Sequence, residues 1–175
     1  MRPLLRRALL PLMIPALSLL LGGCASMKFW DPPYDFPAGT VELKELRRAL
    51  VCDTPTEQAR VRAFDSAAAL LADPLGASLQ AADLSLPAES SYVVVELGQR
   101  RTGGYSLEPR SKAELDETGR LQVQADWIEP AADRMRIQIL TSLCVLLQAP
   151  AMPYNRVELL DTTGAVRAFW DRSPD

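Results

Sequence analysis

No histidine occurs anywhere in the 175 residues. That absence removes the commonest general base, the Ser–His and Cys–His nucleophile pairs and the most frequent zinc ligand together. Carboxylates alone can do acid–base work, but here they are scattered as turn and surface residues, with no pair at a working separation. No G-x-S-x-G, H-E-x-x-H, phosphate loop or dinucleotide fingerprint is present either, so the chain is expected to be no enzyme and to hold no metal and no cofactor. Clustered positive charge is equally scarce: beyond the N-terminal segment no Lys/Arg cluster exceeds the dipeptides Arg47-Arg48 and Arg100-Arg101. Nucleic acid is therefore not an expected partner, since neutralising phosphates needs a basic face. Cysteine is limited to three positions without a Cys-x-x-Cys spacing, which argues against redox chemistry. The longest apolar stretch, Ala8–Leu20, is too short and too interrupted by Pro11 and Pro15 to span a bilayer comfortably.

What surrounds that stretch gives it a meaning. Arg2, Arg6 and Arg7 precede it and Leu21-Gly22-Gly23-Cys24 ends it, and the whole resembles a bacterial lipoprotein signal. The resemblance implies that residues 1–23 are a signal peptide, that Cys24 is the lipidated first residue of the mature protein, and that the chain is tethered to a membrane by acyl chains instead of spanning it. An ordinary secretory cleavage that happens to leave a cysteine is the alternative. Ala25, standing where an Asp would favour retention in the inner membrane, implies the outer membrane of a Gram-negative bacterium, on its periplasmic face.

Removing residues 1–23 takes away three of the 19 basic residues and none of the 22 acidic ones, which leaves a mature chain of 152 residues at a net charge of −6. A mild acidic balance favours solubility. That length suits one domain. Residues 24–39 mix Pro32, Pro33 and Pro37 with Phe29, Trp30, Tyr34 and Phe36. Prolines at that density keep a backbone extended, so this part reads as a semi-rigid tether, with aromatics that either rest at a bilayer interface or dock on the domain formed by residues 40–175.

Within the domain, Thr54-Pro55-Thr56-Glu57 has the form of a capping box with Pro at the first helical position. It predicts a helix whose face carries Val61, Phe64, Ala68 and Leu71, stopped by Asp73-Pro74. From Ser90 the period changes to two. Tyr92–Leu97 and Leu143–Leu147 are apolar runs suited to buried strands. Leu121, Val123, Ala125 and Trp127 alternate with polar neighbours, as do Met135, Ile137 and Ile139. Arg156–Leu160 and Ala165–Trp170 flank the turn Asp161-Thr162-Thr163-Gly164. Val41 and Leu43 suggest an earlier strand, although Leu43, Leu46 and Leu50 fit a helix nearly as well. The expected fold is α+β: a mostly antiparallel sheet, sandwich- or barrel-like, with one amphipathic helix on its N-terminal side. With Cys24 acylated, Cys52 and Cys144 remain, and an even pair in an exported chain is expected to form a disulfide.

The segment Leu97-Gly98-Gln99-Arg100-Arg101-Thr102-Gly103-Gly104-Tyr105-Ser106-Leu107 resembles the signature of the PrcB C-terminal domain family, in which an apolar strand runs through a Gly and a Lys/Arg-rich turn into Thr-Gly-Gly-Tyr-Ser. A strand after Gly119, the Glu129-Pro130 pair and Ile137–Cys144 as final core strand follow in the family's order, with Arg101 and Leu143 standing where Pro is usual. Two readings of the loop are open. Gly103 and Gly104 permit backbone angles closed to other residues, and the result is either a tight turn with Tyr105 in the core or a recognition loop built from Arg101, Thr102, Gly103, Gly104 and Tyr105. The family is named for an accessory subunit of an outer-membrane protease complex, so the resemblance implies a non-catalytic lipoprotein that binds or stabilises another exported protein, with a protease as candidate. Two alternatives are an inhibitor acting through the Thr102–Tyr105 loop, by analogy with chagasin-type inhibitors, and a purely structural envelope protein.

Overall fold

Leu121, Val123 and Ala125 are fully buried while Gln122, Gln124 and Asp126 between them are only half-covered, the alternation a strand shows when one face meets a core. They lie on one of nine strands in a computed structural model that describes residues 35–52, 56–131 and 137–172. In chain order the strands are β1 (Gly39–Glu42), β2 (Lys44–Ala49), β3 (Arg60–Phe64), β4 (Ser90–Glu96), β5 (Ser106–Leu115), β6 (Arg120–Ile128), β7 (Cys144–Pro150), β8 (Arg156–Leu160) and β9 (Val166–Asp171). They form a five-stranded sheet, β1-β5-β6-β8-β9, and a four-stranded sheet, β2-β7-β4-β3. All neighbours pair antiparallel except β6 and β8, which run parallel. The fold is the expected β-rich one, a sandwich and not a closed barrel.

Val93, Val95, Val145 and Leu147 of the four-stranded sheet meet Leu121, Val123, Val157 and Leu159 of the five-stranded sheet in the main core. The other face of β4 and β7 is buried too. There Tyr92, Val94, Cys144 and Leu146 pack under Leu70, Leu75, Leu79 and Ala81. Burial on both faces is why these two strands read as continuous apolar runs instead of alternating. Phe36 is also buried, its ring set against Gly119.

The single long helix does not form. Thr54 and Pro55 lie outside the described residues, and Arg60–Phe64 is instead the edge strand β3, paired with β4 from Arg60↔Glu96 to Phe64↔Tyr92. Val61 and Phe64 sit three apart, a spacing that suits a helix face. Sheet pairing overrides that weak local preference. What remains helical is short: α1 (Ala67–Ala72), capped by the Ser66 hydroxyl, which accepts from the Ala69 N–H at 3.2 Å, and α2 (Pro74–Ser78). Asp73-Pro74 does stop the first helix, but it also starts the second, the Asp73 carboxylate accepting from the Leu75 N–H at 2.9 Å.

The strand expected around Met135, Ile137 and Ile139 is a second correction. Residues 132–136 lie outside the described part, and Ile137–Leu140 are exposed and belong to no strand. A period of two buries side chains only when a neighbouring strand completes the sheet; β7 instead begins at Cys144.

Two turns share one chemistry. In Asp116-Glu117-Thr118-Gly119 and in Asp161-Thr162-Thr163-Gly164 the Asp Oδ1 accepts from the Thr N–H at 2.9 Å and from the Thr hydroxyl at 2.6 Å. The closing glycines have φ of +78° and +82°. Arg120 donates to Asp116 Oδ2 at 2.9 Å and Arg167 to Asp161 Oδ2 at 2.7 Å. These donors, led by the Thr163 hydroxyl, lower the Asp161 pKa from 3.8 to about 2. A carboxylate depressed on folding contributes stability that is fully present above its unfolded pKa and is lost as pH falls through the folded value. Urea unfolding is therefore expected to show a stability loss between about pH 4 and about pH 2, and Asp161→Asn should make that loss shallower while weakening the fold at neutral pH.

Candidate partner-binding site

The loop from β4 to β5 is tied down through its backbone on three sides. Leu97 N–H donates to Leu143 O at 2.8 Å and Gln99 N–H to Thr56 O at 2.7 Å. Arg100 and Thr141 exchange two backbone bonds, at 2.7 and 2.8 Å, and Gly103 N–H donates to Ile137 O at 3.0 Å. The Arg100 guanidinium lies over the Tyr105 ring, 5.5 Å from its centroid, and also donates to the Glu57 carbonyl. Tyr105 is half-buried against the main core. It is both part of the packing and part of the surface.

Of the turn's own side chains, Arg101 points outward and Thr102 is half-buried. Arg101 reaches Glu57 at 3.5 Å with 86% of its side chain exposed, a pair that contributes little in water. Gly104 has φ of +92° and its missing Cβ would stand 3.0 Å from Pro130, so it needs to be glycine. Gly103 lacks a positive φ, contrary to expectation, and a Cβ there would make an ordinary 3.5 Å contact with Ile139.

Around this turn the sheets end in a rim that the sequence periods did not reveal. Leu50 and Val51 are each 67% exposed, Ile137 is 79% exposed, and Ile128, Ile139 and Leu140 are exposed as well. All six belong to segments at the same end of the sandwich: Ile128 pairs with Ser106 at the start of β5, and Ser142 N–H donates to Leu50 O at 3.1 Å. Leu50-Val51 and Ile139-Leu140 are adjacent aliphatic pairs, and neighbours in an extended chain cannot both face one core. That was the available signal. A cluster of large exposed aliphatics is what marks a protein contact on a folded surface. Beside it, Cys52 and Cys144 form the expected disulfide, with Cα atoms 6.2 Å apart, fastening the Leu50–Cys52 arm to β7.

The described chain enters at the opposite end. Gly39 pairs with Leu115 at the far end of β5, and ten residues of strand separate the two ends by roughly 30 Å. Cys24 lies outside the described residues. Among the described residues no group of His, Cys, Asp or Glu is arranged to hold a metal ion, and no helix is long and apolar enough to cross a membrane.

The fold and this end together define a β-sandwich domain with a backbone-braced Gly-Gly loop at one apex. Residues 91–149, from β4 through the loop to β7, match the model of the family described as PrcB C-terminal. No curated protein and no solved structure matches the chain.

Proposed function

We propose that the protein is a non-catalytic envelope lipoprotein, anchored through Cys24 on the periplasmic face of the outer membrane, that binds or stabilises another exported protein through the loop end. The carrying observation is the apolar rim of Leu50, Val51, Ile137, Ile139 and Leu140 around a loop whose backbone is braced and whose Arg101 side chain is exposed. A braced loop spends little conformational entropy on binding. The family match supports association with a protease complex as the setting.

The test uses affinity-tagged full-length protein purified in detergent from envelope extracts. Wild type is expected to retain an exported protein. Arg101→Ala and Thr102→Ala should weaken capture, and Ile139→Asp should abolish it, while each leaves stability within about 0.5 kcal/mol because none of the three side chains is buried in the core. Unchanged capture by all three variants overturns the site. A partner protease that loses activity on adding the protein shows inhibition instead of support, and Cys24→Ser leaving the membrane fraction unchanged overturns the anchor.

A further inference from the structure

The face of the five-stranded sheet that is turned away from the core carries a trough. On β6, Leu121, Val123 and Ala125 go to the core, so Gln122 and Gln124 stand on the opposite face, roughly 7 Å apart along the strand. Register sets Glu158 and Leu160 of β8 beside them, as Gln122↔Glu158 and Gln124↔Leu160. One wall is the turn Asp161–Gly164 that follows β8. The other is raised by β5, whose pairing with β6 breaks between Pro109 and Ala113. There Ser111 O accepts instead from the Leu43 N–H at 2.8 Å, and a bulge of this kind bends a strand and re-aims its side chains. Arg110, Lys112, both glutamines, Leu160 and Gly164 line the resulting space of about 860 Å³.

The trough offers donors and acceptors of both signs and little apolar surface. Glu158 is buried although it faces away from the core, and Gln122 Nε2 at 3.0 Å and Arg156 Nε at 2.7 Å hold its carboxylate. That bond pins the Gln122 amide and leaves its oxygen as an acceptor. Gln124 makes no side-chain hydrogen bond among the described residues, so its amide is available both to donate and to accept. Lys112 is exposed and has no ion pair among the described residues. Arg110 has Asp126 at 3.7 Å, and Glu114, also on the lining, accepts from the Thr40 hydroxyl at 2.9 Å. Two cations thus stand against two carboxylates. The large apolar residue of the lining, Leu160, is itself buried, so the face lacks the exposed aromatic or aliphatic anchors on which a protein contact depends.

We propose that this trough binds a stretch of uncharged oligosaccharide, whose hydroxyls donate to Gln122 and Glu114, accept from Lys112, and do both with the Gln124 amide. A sugar hydroxyl is donor and acceptor at once, which is what a lining of amides and balanced charges matches. An acidic polymer is a poor occupant, because Glu114 and Asp126 repel it. The site shares no residue with the Arg101–Tyr105 loop and does not depend on its role.

The experiment titrates full-length protein, solubilised in a sugar-free detergent, with cellotetraose, chitotetraose and tetragalacturonate in a calorimeter. Saturable binding of at least one of the two uncharged tetrasaccharides is expected, with tetragalacturonate roughly tenfold weaker because its carboxylates meet Glu114 and Asp126. Gln124→Ala should weaken the bound sugar roughly fivefold, the worth of one or two hydrogen bonds, and Lys112→Met several-fold, both with unchanged melting. Lys112→Arg, which keeps the donors, should bind nearly as wild type does. No binding of either uncharged sugar, equal or tighter binding of tetragalacturonate, or unchanged affinity in both Gln124→Ala and Lys112→Met overturns the proposal. Glycerol binding as tightly as the tetrasaccharides also overturns it, since that would show a site for single hydroxyls and not for a sugar chain.

Discussion

Replacing Cys144 by serine is expected to lower the thermal midpoint by roughly 10–15 °C. The bridge to Cys52 spans 92 positions. Closing a loop of that length restricts the unfolded chain by about 4–5 kcal/mol in the chain-entropy account. Cys52→Ser should match Cys144→Ser, and the double variant should be no worse than either, because one constraint is lost in every case. Calorimetry with and without reductant checks this: reduced wild type should melt with the variants, and a reduced midpoint within a degree or two of the oxidised one would contradict it. The loss should also be felt at the site, since the bridge fastens the Leu50–Cys52 arm beside the apolar rim.

Gly98→Ala should destabilise by about 3 kcal/mol or more, from two sources that add. Gly98 has φ of +79°, and a Cβ there would lie 2.6 Å from Gln58 O and 2.7 Å from Glu57 O. Both neighbours are backbone and cannot rotate away. Gly164 is the internal control: its φ is +82° but nothing lies within 4 Å of a Cβ, so Gly164→Ala should cost only the left-handed strain of about 1–2 kcal/mol. Urea unfolding of the two variants separates crowding from strain. Equal losses would show that the Glu57–Gln58 segment gives way.

Much of the β framework was legible because its residues obey simple periods. β6 alternates cleanly, β4 and β7 are apolar throughout, and Asp161-Thr162-Thr163-Gly164 marks its own turn. β3 was not legible, because Val61 and Phe64 satisfy a helix as well as an edge strand, and only the neighbour β4 decides between them. β5 is polar and contains Pro109, which its sheet tolerates because the register breaks between Pro109 and Ala113. At the site, the turn residues Arg101–Tyr105 stood out through their composition. The aliphatic rim did not, since a Leu or Ile carries no mark in one dimension of whether another segment will cover it.

The parallel pairing of β6 with β8 has a consequence for how the molecule acquires its shape. Between those two neighbours the chain leaves for the other sheet, lays down β7 between β2 and β4, and returns. The first and last strands, β1 and β9, are the two outer edges of one sheet. Neither half of the polypeptide can therefore finish a layer alone, and apart from the β5–β6 and β8–β9 hairpins every pairing closes a long loop before it gains anything. Such a chain folds slowly and all at once, with its apolar middle strands uncovered until the C-terminal hairpin arrives. During that interval its unpaired strand edges and apolar faces are open to mispairing with other chains.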